Sequence, residues 1–265
     1  MTTIDRRAFL GFGGSAAVMA GASLTGCGGS GGDYPPVSSK SLLSQAITTD
    51  GVQYRTVAKT HTLMIRQLDG SERAVGGVGR VLGKLNAPEG LTVLNGSVYV
   101  VEKGNHRVQV FDAAGNAVRT FGEGTLSYPG GIASSRGEIF VADSRNARIV
   151  GFTPQGEQTR IIGAGLLSAP RGLEVLEDGL IVSDPGLRKV MKLGFDGHIH
   201  LEYGSGWVLP WDATTDGTYV YVADVSRNEL GVTTLAGAPE APLPLDVAPA
   251  NVWFRKGTLN VRPYA

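Results

Sequence analysis

The 265-residue chain has one cysteine, Cys27, and only four histidines. A single cysteine excludes an intrachain disulfide, and no Cys/His spacing typical of a metal site, phosphate-binding loop or nucleophile elbow is present. Charged residues make up only 18% of the chain and sum to a net charge of +0. This neutrality argues against broad electrostatic capture of nucleic acid or anionic lipid, so no nucleic-acid partner is expected.

Helical periodicity is also missing, because apolar residues nowhere follow an i, i+3, i+4, i+7 spacing over ten residues. They occur instead in short β-branched stretches of four to six residues, separated by Gly, Asp, Asn or Pro. The 39 glycines and 13 prolines suit many tight turns. The chain is therefore predicted to be all-β.

The first 44 residues do not follow this strand pattern. Residues 5–10, DRRAFL, resemble a twin-arginine export signal, and residues 24–27, LTGC, resemble the lipobox of bacterial lipoproteins. The intervening stretch is rich in glycine and would make a poor membrane-spanning helix. We therefore expect a signal peptide over 1–26, a lipidated Cys27 with a Gly/Ser/Pro tether over 27–44, and a folded domain over 45–265.

This assignment predicts an exported protein that is anchored in the cell envelope by lipid. Gly28 stands where an inner-membrane retention aspartate would follow the cysteine, so the outer membrane is the expected location if the organism is Gram-negative. Removal of residues 1–26 would leave 22 Lys+Arg and 23 Asp+Glu, a net charge of −1. The membrane is expected to be contacted through the lipid anchor only.

Three chemically different markers recur with a period of 40 or 41 residues in the remaining chain. They are a turn proline, an acidic residue that closes an apolar run, and a turn glycine. The positions are Pro88, Pro129, Pro170 and Pro210; Glu102, Asp143, Asp184 and Asp224; and Gly115, Gly156, Gly197 and Gly237. Four short strands in each period predict the blades of a β-propeller.

Residues 105–112, NHRVQVFD, resemble the motif that names the NHL repeat, and residues 146–152, NARIVGF, are a close second copy. The resemblance implies a propeller that usually has six blades. Residues 45–82 make a divergent first unit, and residues 249–265 open a last unit with only two strands. Six blades with an incomplete last blade are expected, five being the alternative, and the segment 37–43 is expected to cover the edge of the last blade.

Propellers usually bind ligands through the loops that lead into each inner strand and those that join the second and third strands. The first set carries Glu89, Tyr128, Arg171 and Trp211, and the second carries Lys103, His106, Arg145 and Arg227. Aromatic and arginine side chains supply most interface energy. The candidate binding residues are Tyr128, Arg145, Arg171 and Trp211, together with Glu89 and Arg227, for another envelope protein or a small ligand.

Two other sets of residues have simpler structural interpretations. The repeated acids Glu102, Asp143, Asp184 and Asp224 are expected to accept backbone N–H bonds, because a catalytic residue should be unique rather than repeated. His198, His200 and Glu202 have a spacing able to hold zinc but fall on an outer strand, where polar residues are ordinary. No metal or cofactor is therefore expected, with His61 as the remaining candidate ligand.

The sequence thus favours a binding module or scaffold at the envelope and leans against an enzyme. The alternative is a propeller enzyme of the lactonase, hydrolase or lyase type, which would use a metal in the central channel. Such an enzyme would require several His, Asp or Glu residues that converge on the channel.

Overall fold

The computed structural model describes residues 2–4, 45–48, 51–135, 137–255 and 257–263. The predicted tether with Cys27, most of the predicted signal peptide and the segment 37–43 lie outside the described residues. No helix in the described ranges is long and apolar enough to cross a membrane.

The described chain forms six antiparallel sheets that follow one another in sequence. Blades 1 to 5 each have four strands in sequential order, and blade 6 has two strands from the C-terminal part of the chain and one from the N-terminus. The strands are β1 Thr2–Ile4; β2 Gln45–Ile47, β3 Gln53–Val57, β4 Thr62–Arg66 and β5 Glu72–Gly76 (blade 1); β6 Pro88–Leu94, β7 Ser97–Glu102, β8 Arg107–Phe111 and β9 Ala117–Phe121 (blade 2); β10 Ile132–Ser135, β11 Glu138–Asp143, β12 Arg148–Phe152 and β13 Gln158–Ile162 (blade 3); β14 Leu173–Val175, β15 Gly179–Asp184, β16 Lys189–Gly194 and β17 Ile199–Glu202 (blade 4); β18 Pro210–Thr215, β19 Tyr219–Asp224, β20 Glu229–Thr234 and β21 Pro239–Pro244 (blade 5); and β22 Pro249–Arg255 and β23 Thr258–Pro263 (blade 6). The prediction of an all-β, six-bladed propeller with an incomplete last blade is confirmed.

The edge of blade 6 is covered differently from the sequence expectation. Strand β1 pairs antiparallel with β23, with Thr2 opposite Val261 and Ile4 opposite Leu259. The expected cover, residues 37–43, lies outside the described residues. A short Thr-Thr-Ile segment suits this role because β-branched residues favour strands. The backbone of the added strand supplies partners for the unpaired N–H and C=O groups of the edge.

The hydrophobic core lies between the blades rather than at one centre. Val101 and Val108 of blade 2 form a fully buried cluster with Ile139, Val141 and Val150 of blade 3. Similar clusters join blades 3 and 4, and blades 5 and 6. Because each blade buries its faces against its neighbours, every unit depends on the next for its stability.

Because neighbouring strands are antiparallel, the connections divide between two ends of the propeller. We call one end the loop face; it carries the loops that lead into each inner strand and the loops between second and third strands. Its two sets of loops are joined by a repeated backbone bond, from Lys103 N to Ala87 O, Arg145 N to Ser127 O and Val225 N to Leu209 O, at 3.1 Å each. The opposite end, with the remaining tight turns, is the turn face.

The repeated acids lock these loops together. Glu102, Asp143, Asp184 and Asp224 are all 0% exposed. Their carboxylates accept backbone N–H bonds from the loop that leads into their own blade, donated by Asn86, Ser127, Ser168 and Val208 at 3.0, 2.6, 2.8 and 2.8 Å. The structural interpretation of these acids is confirmed, although the main donors belong to the preceding loop as well as the following turn.

Candidate functional site

The six candidate binding residues all lie at the loop face and form three groups. Tyr128 and Arg145 are exposed neighbours from blade 3. Glu89, Arg171 and Trp211 form a second group near the channel, and Arg227 lies apart on blade 5. The predicted face is therefore brought together, but its members differ in accessibility.

Tyr128 is held between two other side chains of the loop face. The Arg145 guanidinium carbon lies 5.3 Å from the centre of the Tyr128 ring. On the other side, the His106 ring meets Tyr128 edge-on, with ring centroids 4.8 Å apart. A cation beside an aromatic ring that is already fixed by packing is an arrangement that suits protein contacts.

The backbone explains why Tyr128 projects from the surface. Tyr128 has a positive φ of 48° and His106 one of 56°. The Tyr128 N–H donates to His106 Nδ1 at 3.1 Å, which fixes this unusual conformation. In the preceding blade, the Ala87 N–H donates to His61 Nδ1 at 2.9 Å. His61, the remaining candidate metal ligand from the sequence, therefore uses one ring nitrogen for the same structural bond.

Glu89, Arg171 and Trp211 form a bridge across the loop face. Arg171 of blade 4 forms an ion pair with Glu89 of blade 2, and its guanidinium lies 3.6 Å from the centre of the Trp211 ring. Lys103 Nζ approaches the second Glu89 oxygen at 3.3 Å. The side chains of Arg171 and Glu89 are only 17% and 13% exposed. This group is thus largely committed to internal contacts.

Blade 3 permits this bridge because it has Gly130 where blades 2, 4 and 5 have Glu89, Arg171 and Trp211, followed by Gly131. The Gly131 N–H donates to Arg171 O at 3.0 Å, and a Cβ on Gly131 would overlap that oxygen. A Cβ on Gly130 would meet the Arg171 side chain. The two glycines therefore let Arg171 pass over blade 3 to reach Glu89.

Arg227 stabilises the neighbouring loop. Its guanidinium donates to Gly206 O at 2.7 Å and lies 3.4 Å from a Glu229 oxygen. The side chain is 39% exposed, so it contributes both to the loop frame and to the surface.

Two buried carboxylates lie beside the channel, and sequence reasoning missed both. Asp212 is 5% exposed and accepts hydrogen bonds from the Asn251 side chain and the Val252 N–H, at 3.3 Å each. Glu174 accepts a hydrogen bond from the Thr214 hydroxyl at 2.5 Å. Burial, with a smaller contribution from the charge of Glu174, raises the pKa of Asp212 to about 7. The repeat contained a signal, because Asp212 stands where blades 2 to 4 have glycine.

The comparisons with known proteins agree with this geometry. The family profile described as NHL repeat matches residues 85–111 and 126–152. These ranges contain the third strands of blades 2 and 3, residues 105–111 of the first sequence motif and the whole of the second. The protein is a β-propeller with NHL repeats.

Solved structures similar to this NHL propeller include a catalytically inactive virginiamycin B lyase from Staphylococcus aureus with quinupristin. It has 19% identity and a TM-score of 0.67, with 83% of this chain and 77% of that chain covered. A streptogramin B lyase structure has 17% identity and a TM-score of 0.59, covering 86% of this chain and 95% of that one. A nidogen/laminin complex has 21% identity and a TM-score of 0.65, covering 77% and 80%. A search of curated proteins gave no match.

The NHL propeller also has a groove of about 430 Å³ between blades 4 and 5. Its walls include Trp207, Gly231 and Thr233, and the buried Thr233 hydroxyl has no hydrogen-bond partner among the described residues. At the repeat position of Thr233, blades 3 and 4 have Phe152 and Leu193. Gly231 admits the Trp207 ring, which would overlap a Cβ at this position, and the smaller Thr233 borders the groove beside it.

The histidines of blade 4 have ordinary polar neighbours. His198 and His200 lie 3.5 and 3.2 Å from Asp196, and Glu202 pairs with Lys189 at 2.6 Å. No group of three His, Cys, Asp or Glu side chains in the described ranges is arranged to hold a metal ion.

Proposed function

We propose that this NHL propeller is an envelope-anchored lipoprotein that acts as a binding module. It engages an acidic partner, either another envelope protein or a small ligand, through its loop face. The observation that carries the proposal is the unequal charge of the two faces, described next. Lipid anchoring rests on the twin-arginine and lipobox resemblances of the N-terminal segment.

The loops of the loop face are strongly cationic. In the described connections between strands at this face, lysine and arginine outnumber acidic residues by eight to two, and Glu89, near the start of β6, adds a third carboxylate that is paired with Arg171 and Lys103. The cations are Lys59, Arg80, Lys84, Lys103, Arg145, Arg171, Arg188 and Arg227, and the acids are Glu123 and Asp246. A surface of this kind attracts and orients negatively charged partners.

The turn face has the opposite character. Its described turns contain seven carboxylates and no lysine or arginine: Asp69, Asp112, Glu157, Glu177, Asp178, Asp196 and Asp216. In the sequence, Arg136 falls between β10 and β11 and Lys256 between β22 and β23, which are connections of this face, but both residues lie outside the described residues. The chain has no net charge, yet its charges are separated between a basic loop face and an acidic turn face.

We expect Tyr128→Ala or Arg145→Ala to weaken partner capture roughly five- to thirtyfold, since exposed aromatic and arginine anchors dominate interface energy. Both side chains project from the loop face, so the melting temperature should change little. Photo-crosslinking from the loop face in intact envelopes, followed by titration of the purified partner, measures the effect. Arg66→Ala, an exposed arginine on β4 away from the loop face, is the matched control. Equal losses for Arg66→Ala and Arg145→Ala would contradict the assignment of the face.

We expect Cys27→Ser to release the protein from the membrane fraction without unfolding it, because the predicted anchor is the only role of this thiol. Ser30→Ala, three residues further on, is the control and should remain with the membranes. Cell fractionation and metabolic labelling with a fatty acid test both variants. The lipid anchor would be rejected if Cys27→Ser still sedimented with the membranes and the parent protein took up no fatty-acid label.

Cleavage before Cys27 would also remove β1. In that case the pairing between Thr2–Ile4 and β23 belongs to the precursor, and the mature protein presents the edge of β23 to another segment.

A propeller enzyme is the second candidate function, and one observation favours it. The buried carboxylates Asp212 and Glu174 lie beside the channel. A propeller enzyme would require acidic groups that converge at this place. The structural similarity to the two lyases shows the fold alone. Elemental analysis of the purified protein separates the candidates, because a stoichiometric divalent metal favours the enzyme and its absence favours the binding module.

A further inference from the structure

The loop between blades 1 and 2 differs from its counterparts. Residues 77–87, which we call the long loop, put eleven residues between β5 and the proline that opens the next inner strand. The equivalent segments 122–128, 163–169 and 203–209 have seven each. Leu85 occupies the position of Leu126 and Leu167, so the additional residues precede it and form the tip, RVLG at 80–83.

The base of the long loop is firmly hydrogen-bonded. The Gly77 N–H donates to His61 O at 2.8 Å, and the Leu85 N–H donates to Gly77 O at 2.9 Å. The side chains of Asn105 and Gln109 donate to Gly79 O and Lys84 O, at 2.8 Å each. The tip closes in a turn in which Lys84 N donates to Val81 O at 2.9 Å. The Gly83 N–H also donates to Gln109 Oε1 at 2.6 Å, so the end of the tip is fixed to β8 of blade 2 while Val81 and Leu82 stay on the surface.

The tip exposes aliphatic side chains between two cations. Val81 and Leu82 are 70% and 53% exposed, and Val78 beside them is 68% exposed. Arg80 and Lys84 flank the pair on either side. Leaving several large aliphatic side chains in water is unfavourable, so a contiguous set of this kind marks a contact surface.

The long loop lies next to the point where the chain enters the propeller. The first inner strand, β2, starts at Gln45. Like every other inner strand, it begins at the loop face and runs towards the turn face. The loop between β3 and β4 belongs to the same blade and holds the long loop through His61. If Cys27 is lipidated, as proposed above, the tether joins the domain at the start of β2, so the loop face, with the long loop on it, is the face directed towards the membrane.

We propose that the long loop is a membrane-contact loop, which inserts Val81 and Leu82 into the headgroup region of an anionic bilayer while Arg80 and Lys84 bind lipid phosphates. Apolar side chains flanked by cations are the composition that interfacial membrane binding requires. The contact tilts the propeller so that blades 1 and 2 approach the lipid. Blades 3 to 5, with Tyr128 and Arg145, remain open to a partner.

Charge complementarity favours lipid over a protein as the occupant of this tip. The long loop contributes Arg80 and Lys84 to the eight cations of the loop face. Among the described residues, Arg80 has an acidic neighbour in Glu123, at 3.7 Å with both side chains well exposed. The tip has no aromatic residue of the kind that anchors most protein interfaces. Two aliphatic side chains on a basic surface instead match the hydrocarbon and phosphate layers of a bilayer.

The experiment measures vesicle binding by the full chain carrying Cys27→Ser, so that no acyl chain contributes. The probe is vesicles of phosphatidylethanolamine and phosphatidylglycerol in equal parts, compared with phosphatidylcholine alone. We expect Val81→Ser combined with Leu82→Ser to weaken co-sedimentation with the anionic vesicles roughly tenfold. Binding of the parent should fall as the salt concentration rises.

Leu68→Ser is the matched control, because Leu68 is 73% exposed and lies in a turn at the opposite face. This variant should bind vesicles as its parent does. Equal binding by all three proteins, or an equal loss in the Leu68→Ser variant, would overturn the proposal. So would a loss of self-association or partner capture in the double variant with vesicle binding unchanged, since the tip would then be a protein contact. The result is independent of the Cys27→Ser fractionation, which tests the lipid anchor alone.

Discussion

Asp143→Ala is expected to lower the free energy of unfolding by about 3–5 kcal/mol, the cost of removing one partner from a buried charged network. The Asp143 carboxylate accepts bonds from the Ser127 N–H at 2.6 Å, the Asn146 side chain at 2.9 Å and the Arg148 side chain at 2.8 Å. Its loss leaves these donors without their acceptor where two loops meet. The effect should extend to blade 2, because Ser127 belongs to the loop that joins blades 2 and 3.

Urea denaturation of purified variants measures this effect. Asp69→Ala is the control, because Asp69 accepts a bond from the Ser71 N–H at 2.9 Å in an exposed turn, where a substitution has little effect on stability. Asp143→Asn keeps an acceptor for Ser127 but loses the charge opposite Arg148, so an intermediate loss is expected. Similar stabilities for Asp143→Ala and Asp69→Ala would show that the repeated acids do not hold the blades together.

The repeat made much of this architecture predictable from sequence. Each blade must place the same carboxylate under the same loop, so the 41-residue spacing of Glu102, Asp143 and Asp184 reports a fixed geometry. The blade number did not follow from this spacing alone: six blades were expected from the divergent units at 45–82 and 249–265 together with the NHL resemblance, and five remained the alternative. The pairing of β23 with β1 could not be predicted from the sequence, because Thr2–Ile4 is too short to produce a pattern. Pairing between distant segments is also weakly encoded in local sequence.

The candidate site was predictable only as a face. The sequence placed Arg171 and Glu89 on loops of the correct end but could not show that they pair, because the contact depends on Gly130 and Gly131 of the blade between them. Tyr128 and Arg145 proved to be neighbours because consecutive loops of one blade are hydrogen-bonded to each other.

Charge illustrates the difference between composition and arrangement. A net charge of +0 argued against electrostatic capture of anionic surfaces. The alternation of loops and turns along the chain nevertheless sorts cations to one end and carboxylates to the other. That separation is visible only once each connection has been assigned to a face.

Asp212 shows how a departure from the repeat creates a titrating group. Glycine starts the inner strands of blades 2 to 4 because backbone or side-chain atoms of the next blade lie too close for a Cβ, as they do beside Gly90 and Gly172. In blade 5 the position holds Asp212, whose carboxylate reaches across to Asn251 and Val252 of blade 6. The incomplete blade is thereby joined to its neighbour by a buried acid.

Asp212→Asn is expected to make the protein more stable at pH 8 and to leave it nearly unchanged at pH 4. Burial raises the pKa of Asp212 from 3.8 to about 7. The folded state therefore retains a proton that the unfolded chain releases, and the resulting stability is fully present below pH 4 and is lost as the pH rises through 7. A difference of about three pKa units corresponds to at most about 4 kcal/mol. An asparagine does not titrate, and its single amide oxygen can take the place of the Asp212 oxygen that accepts the Val252 N–H.

Urea denaturation of the parent and of Asp212→Asn between pH 5 and pH 8 tests this prediction. The stability of the variant relative to the parent should increase from pH 5 to about pH 7 and then level off, because Asp212 is ionised in both states above its folded-state pKa. Other titrating groups, including Glu102, whose pKa is also raised by burial, are common to both proteins and cancel in the comparison. Asp69→Asn is the control, because hydrogen bonds from Ser71 lower the pKa of exposed Asp69 and its titration ends below this range. A stability difference between parent and Asp212→Asn that stays constant from pH 5 to pH 8 would mean that Asp212 is ionised in the folded propeller throughout.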